Sequence, residues 1–281
     1  MLNNCPSLRL VMFHFDILPE FLPDDSANAS DGQAVAKWLF SPHPDNLPKA
    51  YETDSLSSAV TFRPACVPWF FMRPIIFYDV QLTEEERTLL FVAYRSAINP
   101  RRSAWRVIEG FFKTTTTLEE KKDLSDMQKT VQKEAEEKGH EILTLLDNQL
   151  IPKSADPEAK VFYMRMKGDF HRYLAEIKPT EADDLRNALK AYQQAYSIAR
   201  EKLRPSHPIR LGVALNFSVF YEELMKSTEG ARRIAQKAYD DAKAVILTDA
   251  SNDKTRMEAH AILKKLKVNL AEWNQRKSGA K

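Results

Sequence analysis

The sequence predicts an all-α fold. An antiparallel helical bundle of about seven helices spans residues 81–275, preceded by an irregular, proline-rich segment over residues 1–80. Three observations carry this reading. Beyond Gln81, apolar residues recur at helical spacing, starting with Leu89, Leu90, Val92, Ala93 and Ala97, which lays an apolar stripe on one helix face. Only 7 glycines occur in 281 residues, too few for a Gly-rich sheet protein. The periodic stretches are roughly 20 to 30 residues long and joined by short links, so that consecutive helices run antiparallel.

Residues 1–80 hold nine of the 15 prolines and, with nine acidic and five basic side chains, a formal charge of −4. Proline breaks helices and cannot donate in a sheet ladder. The apolar patches Leu8–Phe15 and Trp69–Phe77 keep no 3.6-residue period, and one short helix is expected near Gln33–Leu39. At Thr83 the texture changes. Thr83 followed by Glu84, Glu85 and Glu86 has the form of a helix N-cap with acidic residues in the first turn, where they suit the helix dipole. Helices are expected near residues 83–112, 118–149, 157–177, 180–203, 207–226, 228–247 and 253–275. The breaks between them, at Thr114–Thr117, Ile151–Pro157, Lys178–Thr180, Arg204–Pro208, Ser227–Gly230 and Thr248–Asp253, carry Pro, Gly, Ser, Thr or Asp. A short basic tail, residues 276–281, follows.

Composition excludes several functions. A formal charge of +2 is too small for electrostatic binding of nucleic acid. The glycine shortage leaves no anchor for a nucleotide-binding phosphate loop. Cys5 and Cys66 make neither a disulfide framework nor a metal spacing, and read as free thiols of a reducing compartment. His140, His171, His207 and His260 show no ligand spacing. No paired carboxylates or Ser-His-Asp set stands out, so neither catalysis nor a cofactor nor a metal is expected. The most apolar run, Ala65–Val80, is broken by Pro68, Arg73, Pro74 and Asp79, and no membrane span is expected. Without a recognisable signal peptide, the expected location is the cytoplasm, with nuclear access open.

Two helices carry basic residues in register. Arg95, Arg102 and Arg106 are spaced by seven and four and project from one face of the first helix. On the third, Asp169 stands four after Arg165 and three before Arg172, placed to hold a guanidinium, with Tyr173 adjacent. If the two faces oppose, Arg95, Arg102, Arg172 and the Tyr173 hydroxyl converge on a site suited to a phosphate dianion, which guanidinium forks bind bidentately. The same spacing also serves a solvated face or an interhelix salt bridge.

The segments themselves are more specific. Glu85–Arg95 with Arg101–Arg106, Lys160–Glu176, His207–Tyr221, Ala238–Ala242 and Asn269–Trp273 resemble, in order, the signature blocks of the 14-3-3 family. The resemblance covers Gln81 to Trp273 and implies a 14-3-3-type bundle. It implies an adaptor that binds phosphoserine or phosphothreonine peptides of client proteins in a groove with one basic and one apolar wall. By motif position the phosphate clamp falls on Arg95, Arg102, Arg172 and Tyr173, and Arg165 is a peripheral basic contact; the family usually has lysine at positions 95 and 165. Asn216 and Asn269 match asparagines that bond the peptide backbone, Glu223 an acidic groove residue, and Leu215 and Val219 the apolar wall. Asn216, Val219 and Glu223, at 0, +3 and +7, share one helix face.

Departures from the family pattern set further expectations. Residues 1–80 do not resemble the two helices that precede Thr83 in the family and pair it into homo- or heterodimers, which leaves dimerisation open. Ile108, Phe111 and Met127 fall where partner-facing residues would lie. Ala104 takes the place of a serine whose phosphorylation is linked to dimer disruption. On the last helix, Ala261, Lys265 and Glu272 stand at apolar groove positions, and Ile262 and Leu266 keep an aliphatic character. A helical interaction module that binds unmodified partners is the alternative function.

Overall fold

The computed structural model describes residues 81–179, 182–246 and 253–278; the short helix expected near Gln33–Leu39 lies outside them. Among the described residues there are seven helices: α1 (Glu84–Phe112), α2 (Leu118–Leu145), α3 (Pro157–Ile177), α4 (Ala182–Lys202), α5 (Pro208–Glu223), α6 (Thr228–Val245) and α7 (Asp253–Ser278). Helix α2 runs on through a π-helical segment, Leu146–Leu150, and one more turn, Ile151–Lys153. The break expected from Ile151 therefore begins only at Ser154. No described helix is long and apolar enough to cross a membrane.

The helix starts follow the local chemistry. The Thr83 hydroxyl accepts from the Glu86 N–H, while the Glu86 carboxylate accepts from the Thr83 N–H at 2.8 Å, a complete capping box. Thr117, Asp156 and Ser227 cap α2, α3 and α6. His207 caps α5 through Nδ1, which accepts from the Ile209 N–H, with Pro208 in the first turn. Pro100 sits inside α1 without ending it; the Arg101 guanidinium donates back to the Ala97 carbonyl at 2.9 Å in that turn.

Cross-helix contacts set the directions. Arg101 meets Glu134 and Tyr94 meets Glu141, so α2 returns antiparallel to α1. His171 pairs with Asp184 at 2.7 Å while Asp169 reaches Tyr192, so α4 returns along α3. Skipping one helix gives parallel neighbours. Phe91 and Tyr94 pack edge-on against Phe162 and Phe170, and Arg102 reaches Glu176 further along, which aligns α1 with α3. Asn216 meets Asp169 and Glu223 meets Arg172, which aligns α5 with α3. One apolar core lies among α1, α2 and α3, and another among α4, α5, α6 and α7. Val161, Ala195, Ala199, Leu203 and Val213 form a third, smaller cluster. The odd-numbered helices α1, α3 and α5 thus bring their polar stripes side by side.

Candidate functional site

Along α3 the residues Arg165, Asp169, Arg172 and Glu176 follow one another at intervals of four, three and four, a single stripe of a helix. Glu176 is its junction with α1. Its Oε2 accepts from Arg102 Nε at 2.9 Å and Nη2 at 2.6 Å, and its Oε1 accepts from Arg106. Burial pushes the Glu176 carboxyl up, but Arg102 and Arg106 outweigh it and hold it below the usual carboxylate value. The third side of Arg102 donates to Asn99 at 2.9 Å. Burial draws the Arg102 guanidinium below its ordinary value despite Glu176, and it still carries its charge at any working pH.

Two cations share the Tyr173 ring. The Arg102 Cζ stands 3.9 Å and the Arg172 Cζ 4.8 Å from its centroid. Arg172, 5% exposed, is anchored from behind: its Nε donates to Tyr192 Oη at 3.3 Å, which in turn donates to Asp169. Asp169 is fully buried and also accepts from Asn216 Nδ2 at 2.9 and 3.0 Å. A buried carboxylate is tolerable only when paired and hydrogen-bonded in this way. Arg172 Nη1 also meets Glu223 Oε2 at 3.3 Å. Gly168 makes the anchor possible, because a Cβ there would lie 2.9 Å from the Tyr192 ring.

Arg95 and Arg165 are placed differently. Both are half-buried against Phe91, with Cζ atoms 5.9 and 5.6 Å from that ring's centroid. Arg165 also lies 4.9 Å from the Phe162 ring, and its Nη1 rests where a side chain on Gly212 would be. Arg102, Arg172 and Tyr173 therefore meet as the spacing predicts, while Arg95 shares a second ring with Arg165.

The remaining predicted residues divide by burial. Asn216, Glu223, Ile262 and Asn269 are half-buried, and Leu215 and Val219 are buried with only 8% and 6% exposed. Asp169, placed by its spacing to hold a guanidinium and counted with the peptide-groove residues, has no exposed surface and holds Tyr192, Asn216 and Arg172. Of the residues expected to face a partner, Phe111 and Met127 are 56% and 55% exposed, whereas Ile108 is 4% exposed. Sequence reasoning missed Glu176, although it continues the stripe one turn past Arg172, and it missed Tyr192, whose place on α4 carries no spacing signal. Among the described residues no group of three or more His, Cys, Asp or Glu side chains could hold a metal ion.

The chain has relatives among known sequences. The family model described as 14-3-3 protein matches residues 69–274. The chain is 42% identical to the 14-3-3 protein zeta of Bombyx mori over 211 residues, 74% of this chain and 85% of that protein. It is 42% identical to the 14-3-3 protein homolog 2 of Schistosoma mansoni over 202 residues, 71% of this chain and 94% of that protein. Against the human 14-3-3 protein beta/alpha the identity is 39% over 202 residues, covering 71% and 81%. With the fold, the aligned basic stripes and these relatives in agreement, the chain belongs to the 14-3-3 family.

Proposed function

We propose that this chain is a non-catalytic adaptor that binds phosphoserine or phosphothreonine segments of client proteins in signalling. The phosphate lies at the Tyr173 ring, between Arg102 and Arg172, with the Tyr173 hydroxyl donating and Arg95 reaching from the next turns of α1. One observation supports this above the others. Five guanidiniums on the stripes of α1 and α3 (Arg95, Arg102, Arg106, Arg165, Arg172) stand with three carboxylates, Asp169 and Glu176 of α3 and Glu223 of α5. The surplus of two positive charges matches a phosphate monoester, which carries about −1.5 to −2 at neutral pH. Asn216 bonds the peptide backbone, Glu223 yields Arg172 to the phosphate, and Leu215, Val219 and Ile262 offer apolar contact, with Asn269 across on α7. Arg165 is a further basic contact at the groove.

The test is a titration of a phosphoserine peptide and its unphosphorylated twin against wild type and Arg172→Ala. Binding that requires the phosphate and weakens at least tenfold in the variant, about 1.4 kcal/mol, is expected. Equal binding by both proteins, or by both peptides, overturns it. The second reading is an interaction module independent of phosphate. It is favoured by the pairing of Arg102 and Arg172 with Glu176 and Glu223, which satisfies the clamp without any ligand. Capture of partners from a lysate before and after phosphatase treatment separates the two. Pairing with another 14-3-3-like chain is consistent with the exposed Phe111 and Met127; a cytoplasmic and nuclear distribution belongs to the same proposal.

A further inference from the structure

Four arginines of α1 and α3 form two pairs, each sharing one aromatic ring. Arg102 and Arg172 share Tyr173, and Arg95 and Arg165 share Phe91. On each of these parallel helices the two members are seven residues apart, so the pairs are separated by about 10 Å along the groove. Their surroundings differ. The Tyr173 pair is held by Glu176, Glu223 and Asp169. The Phe91 pair makes no hydrogen bond or ion pair among the described residues, and the Nε of Arg165 is buried without a partner. Burying an unpartnered donor is unfavourable, and a charged one more so. Arg165 is nonetheless seated at the groove rather than in open solvent. Its Nη1 rests on Gly212, one turn before Asn216 on α5, where a Cβ would come within 2.8 Å of it.

We infer that Arg165, which the phosphate does not engage, forms a second anion subsite beside Arg95. It takes the carboxylate of an Asp or Glu side chain on the same peptide, three residues from the phosphorylated one. The register follows from geometry, since an extended chain advances about 3.3 Å per residue and three residues cover about 10 Å. The charge allows it as well. When phosphate oxygens take Arg172 from the half-exposed Glu223, that carboxylate returns to water, and Arg165 keeps its charge for a second anion. This rests on the phosphopeptide reading above and narrows it to clients with an acidic residue near the phosphosite.

The experiment uses the full chain and labelled phosphoserine peptides followed by fluorescence anisotropy. Each carries either Glu or Ala three residues before, or three residues after, the phosphoserine. At one of the two positions the Glu peptide is expected to bind wild type about fivefold more tightly than the Ala peptide, the size of a good partly buried ion pair. That ratio falls to about one in Arg165→Gln, and shrinks in wild type at high salt. Gly212→Ala, whose added methyl group displaces the Arg165 head group, lowers the ratio in the same way and serves if the first variant does not fold. No gain at either position, or a gain that survives both variants, overturns the inference alone. Loss of phosphate dependence in every peptide overturns the adaptor reading and this subsite with it.

Discussion

On α3 the positions 165, 169, 172 and 176, and on α7 the positions 262, 265, 269, 272 and 276, repeat the same three-and-four spacing along one helix face. Asp169 and Arg172 are buried on α3, and Glu176 holds two guanidiniums of α1. On α7 the four residues Ile262, Lys265, Asn269 and Glu272 are half-buried, and Arg276 is exposed and bonded to Glu222 at 2.7 Å. The difference teaches where rigidity resides. The α3 stripe is fixed before any ligand arrives, as a charge-binding site needs to be. The α7 stripe is half-buried and offers a mixture of charge, amide and methyl surface, which under the proposed function would tune sequence preference.

The comparison breaks most readily at Glu176. Glu176→Ala leaves Arg102 and Arg106 without their carboxylate and is expected to destabilise the fold by about 3–5 kcal/mol, the usual cost of removing one partner of a buried pair. Urea unfolding checks this. The same carboxylate gives a pH signature. Its folded value lies below its unfolded one, so its contribution is complete above the ordinary carboxylate range and is lost as pH falls through the folded value. Stability of Glu176→Gln, followed by urea melts across the acidic range, is expected to fall less steeply with acid than that of wild type.

Next in size is Gly168→Ala. The fully buried Tyr192 ring cannot give way as a flexible side chain would, so about 1–3 kcal/mol of overpacking is expected. Because Tyr192 anchors Arg172 and Asp169, phosphopeptide affinity should drop in parallel, as calorimetry would show.

On α7 the expectation reverses. Glu272→Leu should change stability by no more than about 0.5 kcal/mol, as at other surface positions. It should nevertheless improve binding of peptides with a large apolar residue after the phosphosite, by up to about 1 kcal/mol of newly buried surface. A stability loss like that of Glu176→Ala would mean that the two stripes do not differ in kind.

The smallest effect is expected outside both stripes. Lys226 ends α5 with φ of 53°, the left-handed region, as the Ser227 N–H reaches back to the Tyr221 carbonyl at 2.9 Å. Lys226→Gly should relieve that conformation and stabilise the chain by about 0.5–1 kcal/mol in thermal melts, with peptide binding untouched.

Much of the fold was legible because helices are encoded locally. The caps at Thr83, Asp156 and His207 and the apolar period beyond Leu89 lie within a few turns of the bonds they direct. The alignment of Arg102 with Arg172 was legible too, since heptad spacing on two helices survives any rotation that brings both faces together. Asp169 was legible only in part. Its spacing from Arg172 showed that the two meet but not which of them faces outward, and that depends on Tyr192 and Asn216 arriving from α4 and α5. Ile108 shows the same limit: periodicity places it on a face but does not say how far that face is covered.

By itself the sequence determined the seven helices, the two basic stripes and the family, all properties of short-range order and of residue identity. Only the tertiary structure decided how the charges are shared. It gave Glu176 to both Arg102 and Arg106, seated Arg172 on Tyr192, and left Arg95 and Arg165 together on Phe91. The physical reason is that a side chain's charge is written in its codon, whereas its compensation depends on which helix packs beside it, and that is settled only when the cores close.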